Sequence, residues 1–150
     1  MLPTTTARVP ENTADHVNRR IRHEMEERVR RLAAAGPLAI ARRLRELDEE
    51  WDTERVLEAN ASTLAVVGST LALLVDRRFA FLPLVVGGFL LQHALQGWCP
   101  PLPIFRRQGY RTQTEIDQER YALKALRGDF EWVQASRSDG AQQAVQAAEG

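Results

Sequence analysis

Gln92, His93, Gln96 and Cys99 are the side chains whose types and spacing could do chemistry in this sequence. Gln92, Gln96 and Cys99 follow one another at four and three residues, so on a helix they share a face that His93 borders. This is the one cluster that could carry chemistry, and for Cys99, the only thiol of the chain, that chemistry would be the acceptance or relay of sulfur. A working thiol needs its thiolate, which a neighbouring cation or a helix N-terminus favours. Cys99 is expected instead near a helix C-terminus, where the dipole disfavours the negative form. Arg106 and Arg107 are the cations that could fold back toward it. The plainer reading gives these four residues packing and interfacial roles beside Trp98, with water satisfying the polar groups. His16, His23 and His93 lack metal-ligand spacing. No phosphate loop, nucleophile elbow or dinucleotide fingerprint is present. The chain is therefore expected to be non-enzymatic, with no catalytic residue, no metal and no cofactor.

The elements that would position this cluster are two apolar runs. Between Ala61 and Phe105 the only acidic or basic side chains are Asp76, Arg77, Arg78 and His93. All remaining charge lies outside this window, although the mean hydropathy of −0.34 is that of a slightly polar chain. Ala61 to Val75 is uncharged over 15 residues, about 22 Å of helix and short of a ~30 Å hydrocarbon core. Phe79 to Phe105 has no Asp, Glu, Lys or Arg over 27 residues, the length and composition of a membrane span. The short Asp76–Arg78 link predicts two helices side by side. Ala61, Ala65, Gly68 and Ser69 on the first, and Gly87 and Gly88 on the second, are the candidate close-packing residues. Three prolines at 100, 101 and 103 end the second helix.

Before the apolar window, residues 1–11 read as a loose tail and residues 12–59 as charged amphipathic helices. Val17, Ile21, Met25, Val29 and Leu32 form one helical stripe, and Ile40, Leu44, Leu47 and Trp51 a second. Gly36-Pro37 separates them. Packing of one stripe on the other is the ordinary reading; a protein partner docking on residues 12–51, or the two helices lying on the bilayer surface, are the alternatives. After residue 105, a short helix within 106–133 starts at the Thr112–Glu115 capping box and stops at Gly128. Ile116, Leu123, Leu126 and Phe130 give it an apolar side. Residues 134–150, rich in Ser, Asp, Gly, Ala and Gln, are expected to be a disordered tail.

Residues 60–105 resemble the YgaP-like inner-membrane transmembrane domain, a small helical hairpin, through Gly97-Trp98-Cys99-Pro100 near the end of the second helix. The continuation Glu119-Arg120-Tyr121-Ala122-Leu123-Lys124-Ala125-Leu126-Arg127-Gly128-Asp129-Phe130 looks like stand-alone bacterial members of that group. Some relatives join the hairpin to a sulfur-carrying rhodanese domain. The resemblance thus implies a link to sulfur handling, without a rhodanese domain here.

These readings converge on an expected fold class: all-α, a membrane-embedded two-helix hairpin with amphipathic N-terminal helices and a short C-terminal helix. The expected role is a small integral membrane protein, an anchor or assembly subunit in the bacterial inner membrane. Arg55, Arg106, Arg107 and Arg111 outnumber Arg77 and Arg78, so both termini are expected on the cytoplasmic side. The bilayer is the expected partner, with a homo-oligomer as a further one. Twenty basic and twenty acidic residues give no basic excess for nucleic acid. The alternatives are an oligomeric transporter or channel subunit, and a sulfur-relay partner using Cys99.

Overall fold

Glycine and proline set several helix ends. Gly36, at φ +90°, closes one helix and Pro37 opens the next, as their backbone preferences dictate. Asp52 accepts a 2.8 Å hydrogen bond from the Arg55 N–H and caps the following helix. The computed structural model describes residues 3–133 and 139–149. Among these, the helices are α1 (Arg8–Glu11), α2 (Asp15–Ala35), α3 (Pro37–Glu49), α4 (Thr53–Leu74), α5 (Phe81–Gln96), α6 (Leu102–Gln108), α7 (Gln113–Arg127) and α8 (Gly140–Glu149). A 3-10 turn, Arg77–Ala80, links α4 to α5. The chain divides into two units, Met1–Ile21 with Trp51–Gln113 and Arg22–Glu50 with Thr114–Gly150.

In the second unit, Ile40, Leu44 and Leu47 of α3 meet Ile116 and Leu123 of α7, with Val29 and Leu32 of α2 packed on them. The expected α3 stripe is therefore spent on intramolecular packing as far as Leu47. A charge network crosses the same helices. Glu119 of α7 is fully buried and accepts from Arg28 Nε at 3.0 Å and Arg43 Nε at 2.8 Å. Arg43 also pairs with Glu50 at 2.9 Å and Glu46 at 3.3 Å. Arg120 pairs with Asp48. Lys124 is buried and donates to the Ala148 carbonyl in the last turn of α8, where a cation complements the exposed carbonyls.

In the first unit, α4 and α5 pack along each other. They approach closely at Gly68, where an added Cβ would lie 2.8 Å from Pro83 Cδ and 3.0 Å from Leu82 Cβ. Gly87 and Gly88 instead face open space. Opposite signs are therefore expected for two alanine substitutions. Gly68→Ala should lower stability by about 1 kcal/mol, because the crowding penalty exceeds the helix-propensity gain. Gly87→Ala should raise it by up to about 1 kcal/mol through propensity alone. Denaturant unfolding of both variants checks the contrast.

The root of this unit is polar and buried. Thr53 is fully buried, and its N–H and hydroxyl both donate to the Arg111 carbonyl, at 2.7 and 3.0 Å. Arg106 is fully buried too. Its guanidinium donates to the Tyr110 carbonyl at 2.9 Å, Asn18 Oδ1 at 3.0 Å and Thr13 Oγ1 at 3.2 Å. Val9, Leu57, Cys99 and Leu102 form the adjoining apolar cluster, with Phe105 against it.

These observations correct the expected class. The chain is an all-α protein whose helices pack on one another and are held by buried charge pairs, rather than a two-helix membrane hairpin with appended segments. Arg106, read from sequence as a topology-setting cation, is a buried structural residue. The end of α5 and the chain after it enter a protein core through His93, Cys99 and Leu102. The stretches Pro37–Leu74 and Arg77–Gln96 satisfy length and composition for a span. Those two criteria are weak evidence by themselves, and among the described residues no clear membrane-anchor or channel architecture accompanies them. The expectations of a bilayer partner, an inner-membrane location and an oligomer built through the apolar helices are corrected accordingly. So is the reading of residues 12–51 as a partner surface, since Ile40, Leu44 and Leu47 are buried internally.

Two terminal expectations also change. Residues Arg8–Glu11, within the stretch read as a tail, form a helical turn that buries Val9. Gly140–Glu149, within the other, form α8. The expectation for residues 134–138 and 150 lies outside the described residues.

Candidate apolar cavity

The first unit contains a half-open cavity of about 240 Å³. Leu57, Asn60, Ala61 and Leu64 line it from α4, and Val85, Val86, Phe89 and Leu90 from α5. The spacings of three, one and three on α4, and one, three and one on α5, each mark a single helical face. Cys99, Pro100 and Pro101 close one end, where proline stops the helix and folds the chain back. Asn60 and Cys99 supply the polar side-chain groups of the lining. A shallower groove of about 370 Å³ runs beside Trp51, Thr63, Phe105 and Tyr110. Its lining is more mixed, so the narrower cavity is the better-formed apolar site.

The four residues singled out for chemistry are not brought together as a reactive set. Among the described residues no hydrogen bond joins their side chains. Cys99 is 7% exposed and lies in the Val9–Leu57–Leu102 cluster. Burial pushes its thiol above the ordinary value, which suppresses the thiolate. His93 is 5% exposed, with neither ring nitrogen hydrogen-bonded. Burial first, then the nearby Arg8 charge, pulls its pKa below the ordinary value, while Glu54 and Glu58 oppose this. Gln92 is half-buried, and the Gln96 side chain is exposed while its carbonyl accepts from Asn12 Nδ2 at 2.8 Å. Among the packing candidates, Ala61 lines the cavity and Gly68 makes the close approach. Ala65 is half-buried and Ser69 exposed. No group of three or more metal-ligating side chains occurs among the described residues.

No family model, curated protein or solved structure matches this chain. The resemblance of residues 60–105 to the YgaP-like domain thus finds no support in a match. With an unactivated thiol, the sulfur-relay reading through Cys99 is corrected as well.

The cavity is continuous in character with the surface around it. Leu84 is 72% exposed and Val66 66% exposed on the two helices that form it. Sequence periodicity could not single out the lining, because α4 beyond residue 60 and α5 carry no charged side chain apart from His93 and their apolar residues are spread around both helices. The decisive signal was the proline turn, which returns Cys99, Pro100 and Pro101 to the end of the α4–α5 face.

Proposed function

We propose that this protein is a non-catalytic helical binding module that receives a small apolar organic guest between α4 and α5. One observation carries the reading: a preformed cavity of about 240 Å³ whose walls are almost wholly aliphatic and aromatic. A dry apolar cavity of about 150 Å³ accepts benzene. The larger volume here suits a bicyclic aromatic or a medium-length alkyl group. The expelled water and the contacts with Leu57, Val86 and Phe89 supply the driving force. Asn60, at the wall, could orient one polar end of the guest by hydrogen bonding.

Titration with 1-methylnaphthalene followed by calorimetry tests this. Saturable binding at one site is expected. Ala61→Phe fills the cavity and should weaken binding at least about tenfold, equivalent to about 1.4 kcal/mol. Leu73→Ser, on the same helix but outside the lining, should leave affinity unchanged. Equal loss in both variants would show adsorption to general apolar surface and contradict the proposal, as would no binding to the native protein.

A further inference from the structure

The last turn of α5 is clasped by α1. Arg8 Nη1 donates to the Ala94 carbonyl at 3.0 Å, and Asn12 Nδ2 donates to the Gln96 carbonyl at 2.8 Å. Arg8 also pairs with Glu54 of α4. The two backbones approach so closely at Gly97 that an added Cβ would stand 2.3 Å from the Arg8 carbonyl oxygen. Gly97 is at φ +78° as well, so glycine is required on both counts. Val9, 2% exposed, extends this clasp into the cluster containing Cys99 and Leu102.

His93 lies in this same last turn, buried, with both ring nitrogens unpartnered. The charged groups acting on it are Arg8 from α1 and Glu54 and Glu58 from α4. The Glu54 carboxylate is already paired with Arg8, and Glu58 is exposed to solvent. A proton placed on His93 would therefore sit in a buried site beside a guanidinium that also holds α1 down. Burying that charge without a hydrogen-bond acceptor is unfavourable.

We infer that α1 is an acid-released strap: protonation of His93 lifts the Arg8–Asn12 turn from α5 and uncovers Cys99. The sign follows from linkage. A histidine kept neutral in the closed state leaves that state fully stable above the ordinary value of 6.5. The open state, with a more ordinary imidazole, takes up the proton first as pH falls below that value. Closure therefore weakens progressively on acidification. His16 and His23 are both exposed and do not share this environment. The inference stands on the clasp itself, independently of a guest in the cavity.

Cys99, the sole cysteine, reports strap opening directly. The rate of reaction of the full chain with a pyridyl disulfide is divided, at each pH, by that of the urea-unfolded chain. This ratio removes the intrinsic titration of the thiol. Between pH 7.5 and pH 5 the ratio should rise about tenfold in the native protein, as one shifted proton equilibrium allows. Far-UV circular dichroism should stay constant, separating strap release from unfolding. In His93→Gln, which cannot take up the proton, the ratio should be flat with pH. Arg8→Leu, which removes the Arg8 side-chain contacts to Ala94 and Glu54 and leaves the Asn12 and Val9 contacts, should give a ratio above that of the native protein already at pH 7.5. A flat ratio in the native protein, or a rise that persists in His93→Gln, would overturn the inference.

Discussion

Glu119→Ala should lower the stability of the protein by about 3 kcal/mol, the low end of the range for opening a buried ion pair. The carboxylate is fully buried and accepts from Arg28 and Arg43 at 3.0 and 2.8 Å. Removing it leaves two guanidinium groups facing a small cavity in the α2–α3–α7 core. Arg43 keeps Glu46 and Glu50 as partners, which places the loss at the lower end. The cost belongs to the broken pair and not to the absence of charge as such. A triple variant with Arg28→Met, Arg43→Met and Glu119→Leu should therefore recover most of the loss, because apolar replacement of a whole buried network is often neutral or stabilising. Urea unfolding of the single and triple variants provides the comparison. A single-variant loss below about 1 kcal/mol, the range of exposed pairs, would mean that the network contributes no more than a surface bridge.

Arg106→Ala is expected to cost at least about 3 kcal/mol, through the same physics in the other unit. Its guanidinium, with no exposed surface, joins Tyr110, Asn18 and Thr13. Loss of the side chain removes the guanidinium donors to Asn18 Oδ1 and Thr13 Oγ1 and opens a void, while the Tyr110 carbonyl keeps the Thr53 hydroxyl as a donor at 3.1 Å. Arg106→Lys should recover only part of the loss, since an ammonium is a point donor and the three acceptors match a planar fork. Thermal unfolding of both variants would show the order native, Lys, Ala. A Lys variant as stable as the native protein would mean that charge matters and geometry does not.

Both residues were partly legible in the sequence. Glu119 lies three residues after Ile116 and four before Leu123, on the apolar stripe of α7 and not on its polar face. Arg106 is four residues after Leu102, so it shares that helix's buried face. A charge on an apolar stripe signals a buried pair, but sequence spacing does not say which distant residue supplies its partner. The helix ends were easier, because Gly36, Pro37, Asp52 and Gly128 act locally through backbone geometry and capping. The apolar runs were harder for a different reason. Length and hydropathy describe α4 and α5 equally well in several environments. The features that distinguish this fold, such as Thr53 on Arg111 and α1 on Gly97, are contacts between residues far apart in the chain. The cavity depends on the same long-range return of the proline turn.

The most direct measurement is the location of bound 1-methylnaphthalene by nuclear Overhauser effects in the isotope-labelled protein. Contacts from the guest to the methyl groups of Leu57, Leu64 and Val86 and to the Phe89 ring, lost together in Ala61→Phe, are the result expected for a guest held between α4 and α5. Contacts confined to exposed methyl groups of Leu73, Leu74 and Val75, unaffected by Ala61→Phe, would place the guest on open surface and contradict the account.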